Sequence, residues 1–196
     1  MSVPIEHHPL KPFLPPNARL LMLGSFPPST KRWAMQFFYP NMQNDMWRIF
    51  GSVFHSNPLY FINEEQKCFK QQLLTDFLSQ KGVALFDTAT SVRRLRGTAS
   101  DKDLEVVEET NVIALLQQLP NCVAMAATGQ KATQILCRQF GAQLPSLGQC
   151  CEIFVEELRR SLRFYRMPSS SRAYPMKLEE KSATYRRMFA DLGMIE

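Results

Sequence analysis

The chain reads as an α/β protein: a three-layer α/β/α sandwich around a central, mainly parallel four-stranded sheet. Three observations predict this. Three short apolar runs and a fourth candidate, Leu162–Met167, are spread along the chain, and continuous short runs are the form taken by strands buried on both faces. Amphipathic stretches with helical period lie between them. Each run ends in Gly, Asp, Thr or Pro-Ser, residues that break a strand into a loop. Strands that alternate with helices build a parallel sheet covered by helices.

The runs are Arg19–Leu23 ending at Gly24, Val83–Phe86 ending at Asp87-Thr88, Cys122–Ala127 ending at Thr128-Gly129, and Leu162–Met167 ending at Pro168-Ser169. Between the first two, Phe69, Leu73 and Phe77 recur every four residues with Leu74 and Leu78 alongside, a core-facing helical stripe. Val112, Leu115, Leu116 and Leu119 repeat the pattern until Pro120 stops it. Ala132, Ile135, Leu136 and Phe140 repeat it again before Gly141. Leu178, Tyr185, Met188, Phe189 and Leu192 form one face of a last helix that starts near Pro175 and ends at Gly193. The first sixteen residues carry five prolines, which predicts an extended N-terminal arm over residues 1–18. Residues 19–196 then form a single domain.

A length of 196 residues fits one domain, and 45% hydrophobic residues supply a full core, so disorder is excluded. No apolar run approaches the roughly 18–20 residues of a membrane span. The start Met1-Ser-Val-Pro lacks a charged segment followed by an apolar one. The expected location is cytoplasmic. Five cysteines without a C-x-x-C argue against a disulfide framework and against a zinc or iron–sulfur site. Cys150-Cys151 reads as ordinary strand or loop packing. The histidines are His7, His8 and His55, two of them in the arm, so neither a Ser-His-Asp triad nor a metal-dependent hydrolase is expected. No cofactor is implied. The net charge is +5, and nine Lys/Arg between Arg159 and Arg187 face only Glu179 and Glu180. Arg93, Arg94 and Arg96 form a second cluster. This permits binding to a polyanion, and equally describes a solvated basic surface.

In parallel α/β sheets, ligands bind beyond the carboxyl ends of the strands. The first such end is Gly24-Ser-Phe-Pro-Pro-Ser-Thr30. Gly24 lets backbone approach a ligand closely, and Pro27 and Pro28 stiffen the turn. No G-x-x-x-x-G-K-[ST] is present. Downstream, Phe37-Phe38-Tyr39 precede Asn41, Asn44 and Trp47. Aromatic rings can stack on a base while a carboxamide bonds its edge. Equally, Phe37, Phe38 and Trp47 can be core and Asn44 a helix cap. Pro168-Ser169-Ser170-Ser171-Arg172-Ala-Tyr-Pro175 offers hydroxyls and N–H groups for phosphate, with Arg172 or Tyr174 as a wedge into a duplex. It also suits a plain N-cap. Gly129 and Lys131 offer another anion site, or an ordinary turn from strand to helix.

In order and spacing these segments resemble the uracil-DNA glycosylase superfamily, closest to its hypoxanthine-DNA glycosylase branch. The family's Gly-x-x-Pro loop corresponds to Gly24-Ser-Phe-Pro-Pro28, and the branch has the same Gly-Ser-Phe-Pro form. Its Asn-x-Phe-Trp segment corresponds to Asn44-Asp-Met-Trp47, and its Pro-Ser-rich last loop to Met167-Pro-Ser-Ser-Ser171. Val83–Arg94 and Ser100-Asp101 resemble the family's middle. Many members place Asp or Asn two residues after the first Gly, where it positions the attacking water. Here that residue is Phe26, as in the hypoxanthine branch, whose functional Asn lies in the Asn-x-Phe-Trp segment.

The resemblance implies catalysis by Asn44, with Asn41 as the alternative because Tyr39–Gln43 is longer than the family spacing. It implies base binding by Gly24, Ser25, Phe26, Phe37, Phe38 and Tyr39. DNA binding falls to Gly129, Lys131, Pro168, Ser169, Ser170, Ser171 and Arg172. The implied partner is DNA containing a deaminated base, bound by a monomer that needs no metal. A protein that keeps the fold and binds DNA or nucleotides without catalysis is the alternative.

Overall fold

The structure is a computed structural model that describes residues 3–96 and 100–195. Residues 1 and 2 of the expected arm, 97–99 and 196 lie outside the described residues. Along the chain the elements are β1 (Ile5–His7), β2 (Leu20–Gly24), α1 (Met46–His55), β3 (Ile62–Asn63), β4 (Cys68–Phe69), α2 (Gln71–Lys81), β5 (Val83–Asp87), β6 (Ala89–Arg94), β7 (Leu104–Glu109), α3 (Val112–Gln117), β8 (Ala124–Thr128), α4 (Gln130–Phe140), β9 (Cys150–Val155), β10 (Arg160–Met167) and α5 (Leu178–Asp191).

The apolar runs become the parallel strands. Every residue of β2, β5 and β8 is buried, as strands covered on both faces require. β2 pairs in parallel with β5 on one side and β8 on the other, and β10 extends the sheet from β8. The register makes the strand ends level: Gly24 lies opposite Asp87, and Met167 opposite Thr128. The chain leaves β2 toward β5 and later returns across it to β8, so the strand order reverses between β2 and β8. Such a switch point opens a crevice at the carboxyl ends of the strands.

The expected sheet of four strands has five, in the order β5-β2-β8-β10-β9. The added strand, β9, runs antiparallel to β10 at the edge. Cys150, Glu152 and Phe154 are exposed, while Ile153 and Val155 are buried. A strand covered on one face alternates and shows no continuous apolar run. A second sheet, β1-β6-β7, is antiparallel throughout. It holds the arm: Ile5 pairs with Arg93 and His7 with Ser91, and Phe13 exchanges backbone bonds with Leu85 further along.

α1 packs on α5, α2 on β5 and α4 on β8. The stripe expected to begin at Phe69 is shifted. Phe69 belongs to β4, whose hairpin with β3 ends where Lys70 N donates to Phe61 O. The helix therefore starts at Gln71 and turns Leu74, Phe77 and Leu78 inward, leaving Leu73 38% exposed. Among the described residues no helix is long and apolar enough to cross a membrane.

The α1–α5 contact is aromatic. The fully buried Phe189 meets Phe50 and Phe54 edge-on, at 5.3 and 4.8 Å between ring centroids. Phe189→Ala is expected to cost about 3–5 kcal/mol of stability through the lost burial and the cavity left behind, read as a lower urea midpoint.

Candidate active site

Gly24 ends β2, and the space a side chain would take there is already occupied. A Cβ at this position would stand 2.4 Å from Asp87 Oδ1 and 3.5 Å from the Tyr39 hydroxyl. The glycine thus admits a carboxylate from the neighbouring strand. Asp87 is nearly buried, and its other oxygen, Oδ2, accepts from His8 Nε2 at 2.9 Å. Leu10 N donates to His8 Nδ1. The His8 side chain is 3% exposed and lies against Phe26, Phe38 and Phe86. Placement in the arm therefore does not remove His8 from the site, because β1 carries it back over the strand ends.

Tyr39 reaches the same point from the loop before α1. Its hydroxyl shares a 3.0 Å hydrogen bond with Thr128 Oγ1, at the end of β8, and its ring meets Trp47 edge-on. Burial, reinforced by the negative Asp87, pushes the phenol well above its usual range, against the opposing pull of the Thr128 bond. Tyr39 is a neutral phenol at all physiological pH. Its backbone has φ +49°, a conformation that costs a bulky residue on the order of 1–3 kcal/mol and persists only where the surroundings enforce it.

Past the crevice, the loop after β2 meets the loops after β8 and β10. Ser25 Oγ donates to Asp101 Oδ1 at 2.6 Å. Gly129, at φ +94°, holds the turn into α4, and a Cβ there would lie 3.6 Å from Ser169 Cβ and 3.9 Å from Asp101 Oδ2. Burial raises the Asp101 carboxyl above its usual pKa, opposed by the Ser25 bond. Lys131 Nζ donates to Leu104 O, which folds the ammonium toward the start of β7.

The Asn41–Asp45 loop is zipped to the Ser170–Arg172 loop. Asn44 and Ser171 form a β-bridge, Asp45 N donates to Ser170 O, and Arg172 N donates to Gln43 O. The nearly buried Asp45 carboxylate ties this junction to α5: it accepts from Arg172 Nε at 3.0 Å and from the fully buried Lys181 Nζ at 3.2 Å. Lys181 also donates to Ser171 O, and Tyr185 OH to Pro168 O. Asn44 Oδ1 accepts from Met46 N at the start of α1, and its Nδ2 has no hydrogen-bond partner among the described residues. Asn41 Oδ1 accepts from Gln43 N in a similar local turn.

The loop after β2 and the loop after β10 are linked by Asp101 and Gly129, which stand between Ser25 and Ser169. The aromatic residues divide. Phe37 sits in the core between Phe13 and Trp47, and Phe38 packs on His8 and Phe86. Half-buried Phe26 covers Ala89, Val92 and Leu104. Asp101, Asp87 and His8 are the polar groups that pattern reading left out of the site. Asp87 carried a signal, since it ends an apolar run level with Gly24. The basic cluster is largely committed within the protein. Arg160 caps the carbonyls at the end of α3, Arg163 pairs with Asp191, Arg166 donates to Pro145 O, and Arg186 donates to the end of α1. Arg93, Arg94 and Arg96 pair with Glu105, Glu6 and Asp103.

No family model and no curated protein sequence matches the chain. Among solved structures, it is similar to the solution NMR structure of a Methanosarcina acetivorans protein described as "a putative Uracil DNA glycosylase". The likeness is in the fold. The TM-score is 0.64 at 21% identity, over 96% of this chain and 99% of that one.

Two substitutions probe this geometry. Gly24→Ala drives a methyl group into the Asp87 carboxylate and is expected to destabilise by about 1–3 kcal/mol; chemical denaturation reads the loss. Lys181→Ala removes half of the buried charge pairing at Asp45 and is expected to cost about 3–5 kcal/mol, far more than Lys177→Ala on the exposed start of the same helix.

Proposed function

We propose that this chain is a DNA glycosylase of the uracil-DNA glycosylase type. On this reading it hydrolyses the N-glycosidic bond of a flipped deaminated base, hypoxanthine or uracil, acting as a monomer without metal or cofactor. The observation that carries the reading is the convergence of the Asn44 loop and the Ser169–Ser171 loop on the level strand ends of this fold. The likeness to a structure described as a uracil DNA glycosylase supports it, and the Gly24-Ser-Phe-Pro form favours the hypoxanthine branch.

Extruding a base costs a few kcal/mol and is least costly at a mispair, which selects damaged sites before any chemistry. The base would enter beside Gly24, Ser25 and the aromatic group Phe26, Phe38 and Tyr39. Phe37 acts from behind, as packing. As the glycosidic bond breaks, the sugar gains oxocarbenium character and the departing base gains negative charge. A fixed donor aimed at that charge contributes about 3–4 kcal/mol, and the unpartnered Nδ2 of Asn44 is such a donor, oriented by the Met46 N bond to Oδ1. Gly129, Lys131, Pro168 and Ser169–Ser171 would hold the flanking phosphates. Arg172, anchored at one nitrogen by Asp45, would fill the vacated stack.

A second reading, DNA binding without catalysis, is favoured by Phe26: its ring is engaged with Ala89, Val92 and Leu104 and offers no group to act on water. Duplexes containing single inosine, uracil, xanthine or G·T sites separate the two readings. Abasic sites in any of them support the enzyme, whereas tight binding with no released base supports the alternative. Asn44→Ala is expected to lower the single-turnover rate on the order of 100–1000-fold. Its stability should fall by only about 1 kcal/mol, from the lost hydrogen bond of Met46 N to Asn44 Oδ1. Asn41→Ala, in a similar turn three residues earlier, decides between the two amides.

A further inference from the structure

We infer that Asp101 is the catalytic base of this site: its open carboxylate oxygen orients the attacking water and accepts a proton from it. The inference rests on the glycosylase reading above and assigns the one step that reading leaves without a residue.

The argument is geometric. Ser25 and Gly129 are the first residues beyond β2 and β8, the two strands that flank the switch point. Asp101 bridges them from the short turn before β7. Its Oδ1 is held by the Ser25 hydroxyl at 2.6 Å, which fixes the carboxyl plane. Its Oδ2 has no hydrogen-bond partner among the described residues and faces Gly129, where even a Cβ would stand 3.9 Å away. Glycine at 129 sets no side chain against that oxygen.

The neighbouring carboxylates are engaged. Asp87 is bonded to His8 and closed under Gly24, Asp45 is held between Arg172 and Lys181, and Asp103 pairs with Arg96. Phe26 carries no proton acceptor. Among the described carboxylates around the crevice, Asp101 joins a fixed plane to an oxygen without a hydrogen-bond partner.

The step balances without another reactant. Water gives a proton to Asp101 Oδ2 as its oxygen bonds C1′. The C1′–N bond breaks and its electron pair leaves with the base, which takes a proton from solvent. Asp101 then returns its own proton to solvent. The groups around the carboxyl tune it for this role. Burial and the nearby Asp87 raise its pKa, while the Ser25 bond, Lys131 and Arg94 lower it, and burial prevails. A base lifted toward working pH is more effective than an ordinary carboxylate.

The test begins with the wild-type protein on inosine, uracil and xanthine duplexes under single-turnover conditions. Asp101→Asn keeps an acceptor for Ser25 and is expected to lower the rate by about 100-fold or more, with affinity for the same duplex unchanged. The wild-type rate should rise with pH through a pKa above the ordinary carboxylate range. Ser25→Ala removes a bond that lowers that pKa, so its rising limb should move to higher pH. That shift reads Asp101 in a folded protein even if the Asn variant fails to fold. An active wild type whose Asp101→Asn variant keeps its rate, or whose pH limb is unmoved by Ser25→Ala, overturns the inference and leaves the glycosylase reading standing. A wild type that releases no base from any duplex overturns both.

Discussion

The Asp87 carboxylate is the group on which the upper end of the sheet depends. It ends β5, lies under Gly24 of β2, binds His8 from the arm and bears on the Tyr39 phenol. The backbone carbonyl of Asp87 also accepts from Thr110 Oγ1, past β7. A negative charge so far from water requires partners, since burying an ion unpaired is costly. His8 satisfies the carboxylate and Thr110 the backbone carbonyl, while Gly24 and Tyr39 close over it, so with β5 five stretches of chain meet around this residue.

Asp45 does the same for the opposite wall. Helix α5 reaches it with Lys181, the Ser-rich loop with Arg172, and the backbone between them closes as a β-bridge. Two loops far apart in sequence thereby behave as one rigid unit. A site built this way keeps its hydrogen-bonding groups in place before a substrate arrives, which is the condition under which fixed dipoles lower a barrier.

Much of the fold was legible because burial on both faces leaves a local trace. β2, β5 and β8 are apolar runs buried throughout and could be read as such, and β10, though broken by Arg163 and Arg166, was a fourth candidate ending at Pro168-Ser169. β9 could not, since its alternation of exposed and buried residues resembles many polar stretches, and β6 and β7 form a separate antiparallel sheet with an irregular register. In the site, Gly24, Gly129 and Ser169–Ser171 were visible as strand-end loops, and Asn44 as an amide among aromatics. Asp101 was visible only as part of the Ser100-Asp101 resemblance and was given no role, and His8 was not visible at all, because each acts through a partner 76 or 79 residues away. A single polar residue leaves no periodicity. The basic stretch from Arg159 to Arg187 left both of its readings open for a related reason, as charge composition does not say whether a guanidinium faces solvent or a helix end.

The placement of His8 also has a consequence for the order in which the molecule is assembled. During synthesis the arm leaves the ribosome well before its partners: Asp87 follows His8 by 79 residues, and the pairing strand β6 comes later still. Residues 5–8 must therefore wait without partners while β2, α1 and α2 emerge. Contacts so distant in sequence close slowly, and the β2–β8 pairing of Leu20 with Ala124 spans more chain still. The wall of the crevice that holds His8 therefore needs both β5 and β6 before it can close.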